Sequence, residues 1–231
     1  MNIFVTGTES GIGHQVVSIA LSQGHKVFAT YLSEKKINEL NSDNLFTYKL
    51  DLTDPLLIKN AILEAEIHMG TIDVLINVAG VSYFNDPLTT TDTEWVNTLN
   101  VNVSGYFFLT RGILPFLKKS QNPHIINISS IWGLKGSKDM YSYSVSKHAV
   151  QGLSEGLKEY CKPIGIKVSN LVLDKVDTDF REHMEKYISF TDEQKSRMLK
   201  PSNVAEIIMF LINTPKELLV SSITLDAFLW K

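Results

Sequence analysis

The first twenty-four residues constrain the fold more than any other part of the chain. Asn2-Ile-Phe-Val-Thr6 is a short apolar run with strand character, and it passes without a break into Gly7-Thr-Glu-Ser-Gly11-Ile-Gly13. Beyond it, Val16, Val17, Ile19, Ala20 and Leu21 recur at helical spacing until Gly24 ends the pattern. Strand, glycine-rich turn and helix in this order form the unit that cradles a dinucleotide pyrophosphate. Glycines let the backbone approach the phosphates, while the helix N-terminus offers unpaired N–H groups and the positive end of a dipole. An ordinary βα turn that happens to be glycine-rich is the simpler reading of the same residues. The spacing is G-x-x-x-G-x-G, which differs from the common G-x-G-x-x-G.

The same alternation continues along the chain. Strands are predicted at Ile3–Thr6, Lys26–Tyr31, Leu45–Leu50, Val74–Asn77, His124–Ser129, Lys167–Leu173 and Ile223–Asp226. Helices are predicted at about 11–22, 34–41, 54–68, 92–119, 141–161 and 202–213. The third helix is typical: Asp54 caps it, Pro55 stands at its first position, and Leu56, Ile58, Ala61, Ile62 and Ala65 form its apolar face. Strands apolar over most of their length, alternating with helices, predict an α/β, Rossmann-type doubly wound and mostly parallel sheet with helices on both faces. At 231 residues the chain is expected to form one domain. The polar stretch at about 178–200 interrupts the alternation.

Tyr143-Ser-Val-Ser-Lys147 places a phenol and an ammonium on one face of a helix, at i and i+4. A lysine beside a phenol favours the phenolate, lowering a pKa that is ordinarily about 10. Such a phenol can exchange a proton near neutral pH, as carbonyl reduction and alcohol oxidation require. The spacing alone is a short motif, and Tyr31-Leu-Ser-Glu-Lys35 repeats it as a decoy. Tyr141 is a rival for Tyr143, but Val145 stands where its lysine would be. Ser129 and Ser130 close the fifth predicted strand, where a strand-capping role is the plainer alternative. Trp132 follows and either lines a pocket or merely packs.

Together these stretches resemble the short-chain dehydrogenase/reductase family, over roughly residues 2 to 226. Thr6-Gly7-x-x-Ser10-Gly11-Ile12-Gly13 resembles its cofactor turn, and Asp51 the acid beside the adenine ring. Asn77-Val-Ala79-Gly80 resembles its Asn-Asn-Ala-Gly, with Val78 in place of the second Asn. Asn102 corresponds to a helix asparagine that holds a proton-relay water, and it could alternatively bond only to backbone. The resemblance implies Tyr143 as general acid/base, with Lys147 lowering its pKa and binding the nicotinamide ribose. It further implies Ser130 as hydrogen-bond partner of the substrate oxygen. Tyr31, Leu52, Val176 and Thr178 are implied as further cofactor contacts, and the stretch at about 178–200 as a lid over the substrate. The chain departs from the pattern at Asp174-Lys175, where relatives carry Pro-Gly, and at Ser222–Asp226, where late glycines are missing.

An acid at the end of the second strand would bind ribose hydroxyls and repel a 2′-phosphate. Position 31 is Tyr, which favours NADP(H) over NAD(H), and Ser33, Lys35 and Lys36 are available to a phosphate. A net charge of −3 argues against nucleic-acid or anionic-membrane binding, and the six histidines lack paired metal-ligand spacing. No apolar run reaches the ~18 residues of a spanning helix. Cys161 is the single cysteine, and a cytoplasmic location is the default expectation. Helices 92–119 and 141–161 carry apolar residues on more than one face, and the tail Phe228-Leu-Trp230 is apolar. Both features predict a homo-oligomer, dimer or tetramer, with the tail as a buried subunit contact. The reading is an NAD(P)-dependent oxidoreductase interconverting a carbonyl and a secondary alcohol. The alternative is a catalytically idle dinucleotide-binding sensor or scaffold on the same fold.

Overall fold

The computed structural model describes residues 1–33, 36–180 and 189–230. Seven strands form one parallel sheet in the order β3-β2-β1-β4-β5-β6-β7. They are β1 (Asn2–Thr6), β2 (Lys26–Tyr31), β3 (Leu45–Lys49), β4 (Val74–Asn77), β5 (His124–Ser130), β6 (Lys167–Leu173) and β7 (Ser222–Leu225). The order reverses between β1 and β4, and the C-terminal ends of the strands open there into a crevice. The predicted doubly wound fold is the observed one, with every strand pair parallel.

Strand alternation sorts the core into two layers. Ile3 and Val5 of β1 face the layer of α1 (Gly11–Ser22) and α7 (Pro201–Ile212). Phe4, between them, faces α2 (Pro55–Met69) and α4 (Tyr106–Leu117), stacked 5.1 Å from Phe28. All three are fully buried; truncating Phe4 to Ala would cost about 3–5 kcal/mol.

Two predicted helices come out differently. The stretch 34–41 yields a 3₁₀ turn, Lys36–Glu39, with Ile37 as its one buried residue, which is too little apolar surface to hold a longer helix; positions 34 and 35 lie outside the described residues. The long helix 92–119 divides into α3 (Asp92–Leu99), a π turn (Asn100–Gly105) and α4. At Gly105 the turn presses on Leu52, so that a Cβ there would stand 2.9 Å from the Leu52 Cβ. α5 (Tyr141–Cys161) is as predicted, and a short α6 (Asp192–Ser196) lies in the expected lid. Residues 181–188 of that lid lie outside the described residues. Its base is fixed: Leu199 N donates to Lys175 O, Asp177 N donates to Leu199 O, and Lys200 Nζ lies 2.9 Å from Asp177 Oδ2. Among the described residues no helix is long and apolar enough to cross a membrane.

Candidate active site

Asp54 caps α2 by accepting from Leu56 N and Leu57 N at 2.8 and 3.2 Å. Ser10 stands at the same position of α1 and makes no such bond, so the first N–H groups of α1 are left to whatever occupies the crevice. The turn before α1 has no room for side chains. Gly7, at φ +68°, would bring a Cβ within 2.7 Å of Ala79 Cα, and a Cβ on Gly13 would collide with the Gly7 carbonyl. Gly11, at φ +55°, backs onto Thr178. An uncapped helix start beneath a side-chain-free turn is a shape and a dipole that fit a pyrophosphate, so these residues fit a dinucleotide.

A cleft of about 350 Å³ runs from this turn across the strand ends. Thr6, Gly7, Ser10, Gly11, Ile12, Gly13, Tyr31, Asp51, Leu52, Ala79, Gly80, Val176 and Thr178 line it together with Ser130, Tyr143 and Lys147. Thr6 also turns its hydroxyl onto Val78 N and Ala79 N, at 3.0 and 3.1 Å, tying β1 to the turn after β4. Asp51 accepts from Thr53 N and Thr53 Oγ1.

Asn77 is the exception and corrects the expectation of a cofactor contact. It is fully buried and does not line the cleft. Strand alternation turns it under the sheet, where Nδ2 donates to Asn127 Oδ1 at 2.8 Å and Thr110 Oγ1 at 3.3 Å. Asn77, Asn127 and Asn170 stand in register on three adjacent strands, and Asn127 Nδ2 donates to Ser154 Oγ. This polar row ties β4, β5 and β6 to the helices beneath.

Ser130 ends β5, and its Oγ accepts from Trp132 N at 3.2 Å, so it also caps the following 3₁₀ turn, Ile131–Gly133. Tyr143 and Lys147 share one buried face of α5 and are 9% and 2% exposed. Lys147 Nζ donates to Ile128 O at 2.9 Å and lies 5.6 Å from the ring centres of both Tyr143 and Tyr106. Burial lowers the Lys147 pKa to about 7. The ammonium therefore needs further oxygens beside Ile128 O to stay charged, and a vicinal hydroxyl pair has the chemistry to supply them.

Asn102 lies in the π turn, an irregularity common at functional sites. Its Oδ1 accepts from Val81 N, and its Nδ2 donates to Val81 O and Ser146 Oγ, each at 2.9 Å. Ser146 Oγ in turn donates to Tyr143 O at 2.7 Å. Both amide hydrogens are thus committed to protein atoms. Asn102 clamps the chain just past Gly80 to the helix carrying Tyr143.

Sequence reasoning missed Tyr106, whose hydroxyl donates to Ala79 O at 2.9 Å while its ring lies near Lys147. Burial pushes its pKa well up, with Tyr143 adding to the shift. The signal was available, since Tyr106 sits at i+4 from Asn102. Phe84, Met140 and Phe180 were also missed; they come from loops with no local motif. Trp132 does line the cleft. Lys36 lies 3.8 Å from Asp179, which lines the cleft, and Lys35 lies outside the described residues. Trp230 packs on its own chain, edge-on to Phe190 at 5.6 Å and 4.7 Å from Lys175 Nζ, while Phe228 is 92% exposed.

An oxidoreductase of Staphylococcus aureus strain USA300, itself uncharacterized, is 29% identical over 224 residues, covering 95% of this chain and 94% of its own. The structure of ElxO with NADP bound superposes with a TM-score of 0.86 at 29% identity, over 98% of this chain and 97% of that one. The closed form of serine dehydrogenase complexed with NADP⁺ does so with a TM-score of 0.88 at 24% identity, over 97% and 94%. The family model described as short chain dehydrogenase matches residues 1–188, and with the fold and cleft described above this chain belongs to the short-chain dehydrogenase family.

Proposed function

We propose that the protein is a nicotinamide-dinucleotide-dependent oxidoreductase that interconverts a carbonyl and a secondary alcohol. One observation carries the reading: Ser130, Tyr143 and Lys147 come together on one wall of the cleft, with Tyr143 and Lys147 buried and the glycine turn of α1 further along it. The bound cofactor supplies or takes up the hydride. Tyr143 gives its phenolic proton to the substrate oxygen in reduction and takes one back in oxidation. Lys147 favours the phenolate and holds ribose hydroxyls, which keep it charged despite burial. Ser130 Oγ steadies the oxygen as negative charge develops there. Asn102 and Ser146 keep the helix of Tyr143 in register with Gly80. With both amide hydrogens of Asn102 committed, a relay water at this position falls to the main chain of the π turn.

Asp51 and Leu52 would hold the adenine end of a dinucleotide bound along the turn, and Val176 and Thr178 its nicotinamide end. NADP(H) is favoured over NAD(H): β2 ends in Tyr31 with no acid, Ser33 lines the cleft just beyond it, and Lys36 follows closely in sequence. The NADP-bound structures of ElxO and serine dehydrogenase are in keeping with this. The protein works as a homo-oligomer, for which the exposed Val96, Phe107 and Tyr160, and separately Phe210 and Phe228, offer apolar surface. Light scattering that returns a monomer at micromolar concentration contradicts that part.

The test of the whole is absorbance of NADPH and NADH over a panel of ketones, with Tyr143→Phe beside the natural chain. Turnover abolished in the variant while cofactor binding persists is the expected outcome. Cofactor binding with no turnover of any carbonyl by either protein indicates the idle dinucleotide-binding protein instead. Lys36→Ala should weaken NADP(H) binding and spare NAD(H).

A further inference from the structure

We infer that the substrate end of the cleft takes an uncharged carbonyl compound bearing an aryl or bulky alkyl group, in preference to a carboxylate, a phosphate ester or a polyol. The inference rests on the oxidoreductase reading and adds the substrate class to it.

Tyr143 and Met140 are the buried centre of a separate apolar cluster completed by Phe84, Trp132 and Phe180. Four segments supply it: the loop after β4, the turn after β5, the start of α5 and the loop after β6. Phe180 is tilted 56° against the Tyr143 ring at 5.8 Å, the inclined geometry that aromatic pairs adopt. Met140 adds a polarisable, adaptable thioether. Among the described residues, Trp132, Met140 and Phe180 of this cluster line the cleft beside the Tyr143 phenol, so the wall they offer a substrate is rings and hydrocarbon.

Among the described residues, the Asp and Lys side chains that line this end are matched, Asp174 with Lys175 and Asp179 with Lys36. Lys175 lines the cleft where relatives carry glycine, but its ammonium lies 3.4 Å from Asp174 Oδ1 and 4.7 Å from the centre of the Trp230 ring. Asp174 Oδ2 accepts from Ala227 N at 3.4 Å, which fixes the carboxylate from its other side. Claiming Lys175 for a substrate anion means stripping it from both partners and leaving Asp174 uncompensated. Lys135 sits over the Trp132 ring at 5.3 Å and does not line the cleft. Lys147 is turned to Ile128 O. Ser130 Oγ and the Tyr143 hydroxyl serve the one reacting oxygen. Each further hydroxyl of a polyol would be desolvated against this cluster at a cost of about 1–3 kcal/mol.

Reduction of such a ketone moves a hydride from the reduced nicotinamide to the carbonyl carbon and the Tyr143 proton to the oxygen. The products are a secondary alcohol and the oxidised cofactor, and Tyr143 is reprotonated from solvent.

The experiment compares kcat/KM of the full chain for acetophenone, acetophenone with a ring carboxylate, a ketohexose and acetone, each with NADPH and NADH. Acetophenone is expected to exceed the carboxylated ketone and the ketohexose by at least ~10-fold, the discrimination available to one well-formed apolar pocket. Phe180→Ala and, separately, Trp132→Ala should raise KM for acetophenone at least ~10-fold more than KM for acetone. A preference for the carboxylated ketone or the sugar overturns the inference while leaving the oxidoreductase reading in place. Equal effects of both variants on acetophenone and acetone overturn it too. Cofactor binding, followed by tryptophan fluorescence, without turnover of any member removes the oxidoreductase reading and this inference with it.

Discussion

The two ends of the cleft are made of different material. Around Gly7, Gly11 and Gly13 the wall is main chain, held from behind by the Thr6 hydroxyl on Val78 N and Ala79 N. Around Tyr143 the wall is side chain: Trp132, Met140 and Phe180, each carried by a different segment, with Phe84 packed against the same cluster. A main-chain wall recognises what every dinucleotide shares, a phosphate pair and its charge. A side-chain wall recognises what distinguishes one carbonyl compound from another, and it can be rebuilt without disturbing the first. The first end should therefore tolerate no added atom, and the second should trade one substrate for another.

The largest effect expected from that contrast is at Gly13. Its Cβ would collide with the Gly7 carbonyl and stand 3.1 Å from Thr8 Cα, and backbone on both sides leaves nothing flexible to yield. Gly13→Ala should abolish measurable cofactor binding and destabilise the fold by more than ~3 kcal/mol, in the range of overpacked or strained sites. Gly152→Ala is the control. Position 152 lies in α5, and a Cβ added there would meet nothing within 4 Å, so alanine should stabilise by about 0.5–1 kcal/mol. Urea unfolding and cofactor titration read both. A Gly13→Ala protein that binds cofactor normally would break the claim that main chain alone builds this end.

Tyr143→Phe comes next. It keeps the ring against Phe180 and removes the hydroxyl that carries the exchangeable proton, so kcat should fall by at least ~10²-fold with little change in folding or cofactor affinity. Retention of most of kcat would transfer the proton to another group and detach the chemistry from this end of the cleft.

Lys147→Met separates stability from activity. In the fold Lys147 has a pKa of about 7, against 10.5 for an ordinary lysine, because burial disfavours its charge. Below pH 7 the ammonium is charged in both folded and unfolded chains, and the fold carries the full desolvation cost. As pH rises towards 10.5 the buried amine has lost its proton while the unfolded one still holds it, and the cost fades. Methionine should thus stabilise the apoprotein by on the order of 3 kcal/mol at neutral pH and by less than ~1 kcal/mol near pH 10. Activity should be lost at both. Thermal unfolding across pH checks the sign, and a gain that grows with pH refutes it.

The same contrast explains what the sequence could disclose. All seven strands lie within a residue of prediction at either end, because apolar runs between breakers fix strands locally. The glycine turn and the Tyr143–Lys147 pair were legible because their geometry depends on spacing within a few residues. Asn77 was misplaced because a motif names a residue without saying which face of its strand it takes; its neighbours Ala79 and Gly80 line the cleft and it does not. The π turn was illegible, since Asn100–Gly105 has an ordinary helical pattern, and its close approach to Leu52 at Gly105 joins residues about fifty positions apart in sequence. Phe84 and Phe180 meet near Tyr143 only because β4 and β6 end beside β5. No window of sequence contains that fact.

Tyr106 belongs to neither end and joins them. Its hydroxyl holds Ala79 O, on the main-chain wall, at 2.9 Å, and its ring lies 5.6 Å from Lys147 Nζ, behind Tyr143. Tyr106→Phe deletes the first link and keeps the second. The Ala79 carbonyl loses a buried donor, so the expected cost is about 1 kcal/mol in stability and a several-fold weaker cofactor affinity. Because the ring remains, the pH dependence of kcat/KM should stay as it was. Tyr106→Leu deletes both links. An ammonium 5.6 Å from a ring centre gains about 0.5–2 kcal/mol from the ring's electron-rich face when desolvated. Losing that contact disfavours the charged form, lowers the Lys147 pKa further and moves the pH–rate limb it governs to lower pH. Two variants with one shared pH profile would show that Tyr106 acts through Ala79 alone, leaving the Asn102 bonds to Val81 and Ser146 to join the two ends of the cleft.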